Sequence, residues 1–190
     1  MEIKSPGPAL KRENIEKIII YIVFGFYLFL LMKILFLSRL NSRGIFSEQE
    51  YVMRSVNLIP FSGIIDYIAA AKRGTAGLSF ANVVGNIIIF VPLGAYLALF
   101  RKEAGVVKVL FFVFLSSLGT EIIQWSFAIG SADVDDIILN SLGGLIGILG
   151  YKILLFLFKS EKKAQTTATA ISVLGFPAIF YYLFIINMRF

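Results

Sequence analysis

Three pairs of polar side chains stand at helical spacing inside otherwise apolar sequence: Asn82 with Asn86, Glu121 with Gln124, and Asp136 with Asn140. Residues three or four apart lie on one face of a helix, so each pair points its amide and carboxyl groups in one direction. A carboxylate at the middle of a membrane helix costs about 2.5–3.5 kcal/mol on insertion scales and is seldom kept without a partner or a polar cavity. Two readings stand for these groups. They tie helices together by interhelical hydrogen bonds, each contributing under about 2 kcal/mol, or they line a polar site, joined by Arg54 and Asn57 from the preceding segment.

The run Asp133-Val134-Asp135-Asp136 adds three carboxyl groups. Clustered carboxylates suit calcium or magnesium, yet an aspartate immediately before an apolar helical run also serves as its N-cap and complements its positive end. A cap, an acidic surface facing a ligand and a metal site all remain open, and no metal site is assigned. The chain has no cysteine and no histidine, which removes disulfides, thiol nucleophiles, histidine bases and imidazole-held zinc. Any catalysis would rest on carboxyl, hydroxyl or lysine chemistry. No cofactor is implied.

The elements that must position these groups follow from composition. Of 190 residues, 58% are apolar, and the mean hydropathy is +0.84, too little polar surface to clothe a water-soluble globule. About 20 apolar residues cross a hydrocarbon core of about 30 Å as a helix. Stretches near residues 18–38, 80–100, 106–128, 137–158 and 167–187 meet or approach that length. The expected fold is an all-α membrane protein with about five transmembrane helices in a single domain, residues 1–190. The first stretch is too long for the apolar part of a cleaved signal, so it reads as a retained helix. Residues 57–71 place Ile64, Ile65 and Ile68 at spacings suited to one helical face after Pro60, with Ser62 as a cap. They predict a short amphipathic or re-entrant helix. Gly143, Gly144, Gly147 and Gly150 form a small-residue stripe suited to close helix packing.

The net charge of +6 does not point to nucleic acid, because the lysines and arginines cluster at the ends of apolar stretches. Lys4, Lys11, Arg12 and Lys17, then Arg101, Lys102 and Lys108, then Lys159, Lys162 and Lys163 belong on one side, which the positive-inside rule makes the cytoplasm. The N-terminus is then cytoplasmic. Helices that alternate in direction bring all three polar pairs to the outer face. The segment 39–79 runs against this assignment, since it carries Arg39, Arg43, Arg54, Lys72 and Arg73 on the outside.

Taken together, Asn57-Leu58-Ile59-Pro60-Phe61, Asn82 and Asn86 running into Phe90-Val91-Pro92-Leu93-Gly94, Glu121 with Gln124, and Asp133-Val134-Asp135-Asp136 with Asn140 and Gly143 resemble the VanZ-like family. The order and spacing match over about residues 57–147, a far more specific signal than any one piece. The resemblance implies a family core over about residues 50–158, an additional helix near 167–187, and a location in a bacterial plasma membrane. It also implies an association with reduced susceptibility to the glycopeptide teicoplanin. Relatives of this pattern carry an arginine just before the aspartates, where this chain has Gly130-Ser131-Ala132; either Arg54 substitutes for it or the ligand differs. The expected partners are membrane lipids and a lipid-linked cell-wall component or lipoglycopeptide. An enzyme acting on a lipid head group through Glu121 or Asp136, and a small lipid transporter, are the alternative readings.

Overall fold

A computed structural model of the chain describes residues 8–37, 56–73, 77–101 and 103–181. Its architecture is helical: α1 (Pro8–Met32) runs into a π-helical stretch, Lys33–Leu37, followed by α2 (Ser62–Lys72), α3 (Gly77–Phe100), α4 (Val106–Ser126), α5 (Val134–Phe158) and α6 (Glu161–Tyr181). Two residues of extended chain before α2, β1 (Val56–Asn57), pair in parallel with two before α5, β2 (Ala132–Asp133), in the register Val56 to Ala132 and Asn57 to Asp133.

Among the described residues, four helices are long and apolar enough to cross a membrane, over Ile15–Phe36, Asn82–Phe100, Val106–Ser126 and Val134–Phe158. Their exposed residues include Ile22, Phe29, Phe111, Ile122, Ile153 and Phe156, whereas Ser117, Gln124 and Asn140 are buried. That inversion suits a lipid solvent, because apolar side chains lose nothing facing acyl chains while polar ones must find partners inside. The chain is an all-α membrane protein. The fifth expected span, 167–187, begins within α6, and residues 182–187 lie outside the described residues. Lys159–Thr169, which reads in the sequence as a polar connector, is mostly helix: α6 starts at Glu161, two residues beyond the left-handed Lys159 whose N–H donates to Leu155 O at 3.0 Å. A left-handed cap lets the chain reverse at once, so the polar residues are drawn into the next helix rather than left as a loop.

The centre of the bundle is the α3–α5 pair. A Cβ added at Gly94 would lie 1.9 Å from Gly144 O, one at Gly143 2.1 Å from Ile87 O, and one at Gly147 1.9 Å from Val91 O. The glycines let the two backbones touch, with dispersion and interhelical contact doing the work that burial from water does in soluble proteins. Val113 of α4 fills the third side, its Cγ1 occupying the space a Cβ on Gly144 would need. On the opposite flank, the ring of Phe24 of α1 lies 5.1 Å from those of both Tyr96 and Phe100, tilted against the first and edge-on to the second, and the buried Tyr27 hydroxyl donates to Ile89 O at 2.8 Å.

Candidate functional site

The polar groups gather where α3 and α5 begin and α4 ends. Asp133 is the N-cap of α5, its carboxylate accepting from the N–H of Asp135 at 2.8 Å. The same carboxylate receives the Asn57 amide at 3.2 Å on each oxygen, and Asn57 Nδ2 also donates to Ser62 Oγ at 2.8 Å. Glu121, on the last turns of α4, accepts the Asp133 N–H through Oε2 at 2.9 Å. Asp136 accepts from the Asn86 amide across the α3–α5 contact.

Asp135 has a different role. One of its oxygens accepts from the N–H of Phe61 and the other from the N–H of Gly63, at 2.7 Å. These are orphan donors at the start of α2, so a carboxylate on the first turn of α5 caps a second helix. Two helix N-termini thus converge on one acidic cluster, each supplying donors and a partial positive charge. The arrangement requires Phe61 to take a positive φ of 67°, a conformation costing about 1–3 kcal/mol in a non-glycine residue. Gly63 gives the carboxylate close access, since a Cβ there would stand 3.1 Å from Asp135 Oδ2.

Other expected residues fall elsewhere. Gln124 turns toward the first helix and donates to Leu35 O, in the π-helical stretch, at 2.9 Å. Asn140, one turn below Asp136, donates to Ser117 Oγ at 2.9 Å, and its Oδ1 finds no hydrogen-bond partner among the described residues. Asn82 lines a small cavity of about 210 Å³ together with Gly63, Asp66, Asp133, Asp135 and Asp136. Arg54 lies outside the described residues. Among the described residues no group of three histidine, cysteine, aspartate or glutamate side chains has the geometry to hold a metal ion.

Sequence reasoning passed over Asp66, Ser117 and the peptide groups at Phe61, Gly63 and Leu35. Ser117 stands four residues before Glu121 and was legible as part of the same polar face. The peptide donors carry no signal in residue type. Gln124→Leu should lower stability in detergent by about 1–2 kcal/mol, because it leaves the Leu35 carbonyl without its amide donor while preserving volume. A denaturant titration followed by circular dichroism measures this.

The VanZ/LLP1 family profile matches residues 13–159, which include α3, α4, α5 and the whole polar cluster. Protein VanZ of Enterococcus faecium is 37% identical over 122 residues, covering 64% of this chain and 66% of that protein, just under two thirds of its length. No solved structure matches the chain. With more than half of its length matched by the profile, the chain is a member of the VanZ/LLP1 family.

Proposed function

We propose that this chain acts in the bacterial plasma membrane, N-terminus in the cytoplasm, and lowers susceptibility to lipoglycopeptides such as teicoplanin by binding an amphiphile at the outer face. The observation that carries this reading is the cavity between α2, α3 and α5 and its surroundings. Its described lining is acidic, amide and aliphatic, through Asp66, Asn82, Asp133, Asp135, Asp136, Val83 and Leu139. Beside it, Leu58, Ile59, Phe61, Ile65 and Ile68 expose apolar surface on and before α2. A polar cavity bordered by lipid-facing side chains suits a ligand with both kinds of surface. At about 210 Å³ it takes one substituent rather than a whole glycopeptide.

The acidic lining favours an amine or hydroxyl group over a phosphate. A lipid-linked pyrophosphate would need a cation from elsewhere, and Arg54 is the residue sequence reasoning offers for it. Binding is favoured over chemistry on a lipid head group because, of the two carboxyl groups that chemistry would use, Glu121 holds the Asp133 N–H and does not line the cavity, while Asp136 holds the Asn86 amide, and a general base must be able to reach its substrate's proton.

Asp66 and Asn82 give the cleanest test, since both line the cavity and both are exposed, so their loss should spare the fold. In a glycopeptide-sensitive Gram-positive host, the unaltered chain should raise the teicoplanin inhibitory concentration and leave vancomycin unchanged. Asp66→Ala with Asn82→Ala should reduce that protection at least fourfold at equal membrane abundance. Protection that survives the double substitution would remove the cavity from the mechanism.

A further inference from the structure

A second and larger cavity, of about 650 Å³, lies between the first turns of the α1 span and α6, at the membrane face opposite the polar cluster. Its upper lining is charged and polar: Glu16 and Lys17 from α1, with Glu161, Lys162, Gln165 and Thr166 from α6. Deeper along the same helices the lining becomes Ile19, Ile20, Ala170, Val173 and Leu174. At a rise of about 1.5 Å per residue, Glu161 to Leu174 covers about 20 Å, comparable to one leaflet of a hydrocarbon core of about 30 Å plus its interface. The slot has the length and the polarity gradient of one phospholipid leaflet position.

We propose that this slot binds a glycerophospholipid whose head group is zwitterionic and carries a primary ammonium, as in phosphatidylethanolamine. The argument is charge complementarity. Two cations and two anions line the slot at its head-group end, so Lys17 and Lys162 match a phosphate while Glu16 and Glu161 match an ammonium. A head group of net negative charge would meet the carboxylates without a counter-charge of its own. The Thr166 hydroxyl donates to Lys162 O at 2.9 Å, and that of Thr169, also in the lining, donates to Gln165 O at 2.8 Å. Each keeps its oxygen lone pairs for an N–H donor, which a trimethylammonium lacks. Glu16 and Lys162 already approach each other at 3.8 Å; so open a pair is worth little and yields readily to a ligand that satisfies both. The slot is independent of the proposed function, because it lies at the other membrane face and α6 lies beyond the family-matched residues 13–159.

The test is native mass spectrometry of the full chain, released from detergent containing equimolar dioleoyl phosphatidylethanolamine, phosphatidylcholine and phosphatidylglycerol. One phosphatidylethanolamine adduct should be retained at least fivefold over either competitor, and the preference should vanish in the Glu16→Gln, Glu161→Gln double variant, which removes the carboxylates that match the ammonium. Equal retention of the three lipids, a preference for phosphatidylglycerol or phosphatidylcholine, or a preference that survives the substitutions would overturn the proposal. If that variant fails to fold, Ala170→Phe decides the matter. Ala170 is exposed in the slot, so phenylalanine should fill it and abolish the adduct with helix content unchanged, and an adduct that persists would equally overturn it.

Discussion

Alanine at Gly147 should abolish accumulation of the folded protein, whereas alanine at Gly150, one turn further along the same helix, should be tolerated. A Cβ at Gly147 meets Val91 O at 1.9 Å, Ala95 N at 2.8 Å and Val91 C at 2.9 Å, all backbone atoms, while one at Gly150 has nothing within 4 Å. Backbone cannot rotate aside as a side chain can, so α3 and α5 must separate. Overpacking typically costs about 1–3 kcal/mol where side chains adjust, and the cost here should exceed that range because the adjustment is a helix displacement. Moving α5 would also pull Asp136 from Asn86 and tilt the capping aspartates away from α2. Membrane abundance and the elution profile in mild detergent measure the outcome: at least a fivefold loss for Gly147→Ala and near-native behaviour for Gly150→Ala. Equal behaviour of the two variants would show that the helices are not in backbone contact.

Asp135→Ala should release α2 from the bundle without unfolding the spanning helices. The substitution leaves the N–H groups of Phe61 and Gly63 without their shared acceptor. Hydrogen bonds to a charged group contribute about 1.5–3 kcal/mol each, and the positive φ of Phe61 would no longer be offset. α2 has few other ties, since it packs lightly on α3 and α5 and exposes Ile65 and Ile68. Hydrogen exchange should therefore accelerate at least tenfold at the start of α2 and remain unchanged in α4 and the middle of α5. Asp135→Asn keeps one carbonyl acceptor and should give an intermediate rate. Acceleration spread evenly over all helices would instead make Asp135 a determinant of global stability.

Much of the cluster was legible from residue type and period alone. Asn86, Glu121, Asp136 and Asn140 stand out because an apolar helix gives polar residues no reason to share a face unless they meet something. Their convergence follows once neighbouring helices alternate in direction. The N-cap role of Asp133 follows in the same way from an acid placed before an apolar run. The extent of α6 was not legible: the Lys159–Thr169 stretch is polar enough to read as a connector, and it is mostly helical because a left-handed Lys159 reverses the chain and packs α6 beside α5.

By itself the sequence determined that the chain is built of membrane helices, because hydropathy and the need to satisfy every peptide group in lipid leave no other architecture. It determined the family as well, through polar residues at fixed spacings. The tertiary structure decided which partner each polar group takes. Asp133 and Asp135 are separated by one residue and identical in type, yet one caps its own helix and the other caps α2. That division depends on where α2 begins in space and on the register of Asn57 beside Asp133, and neither is written in the local pattern around the aspartates. The same holds for the glycine stripe. Period alone shows Gly143, Gly147 and Gly150 as equivalent, but only the first two face a backbone, because the helix crossing brings α3 within contact over a limited length.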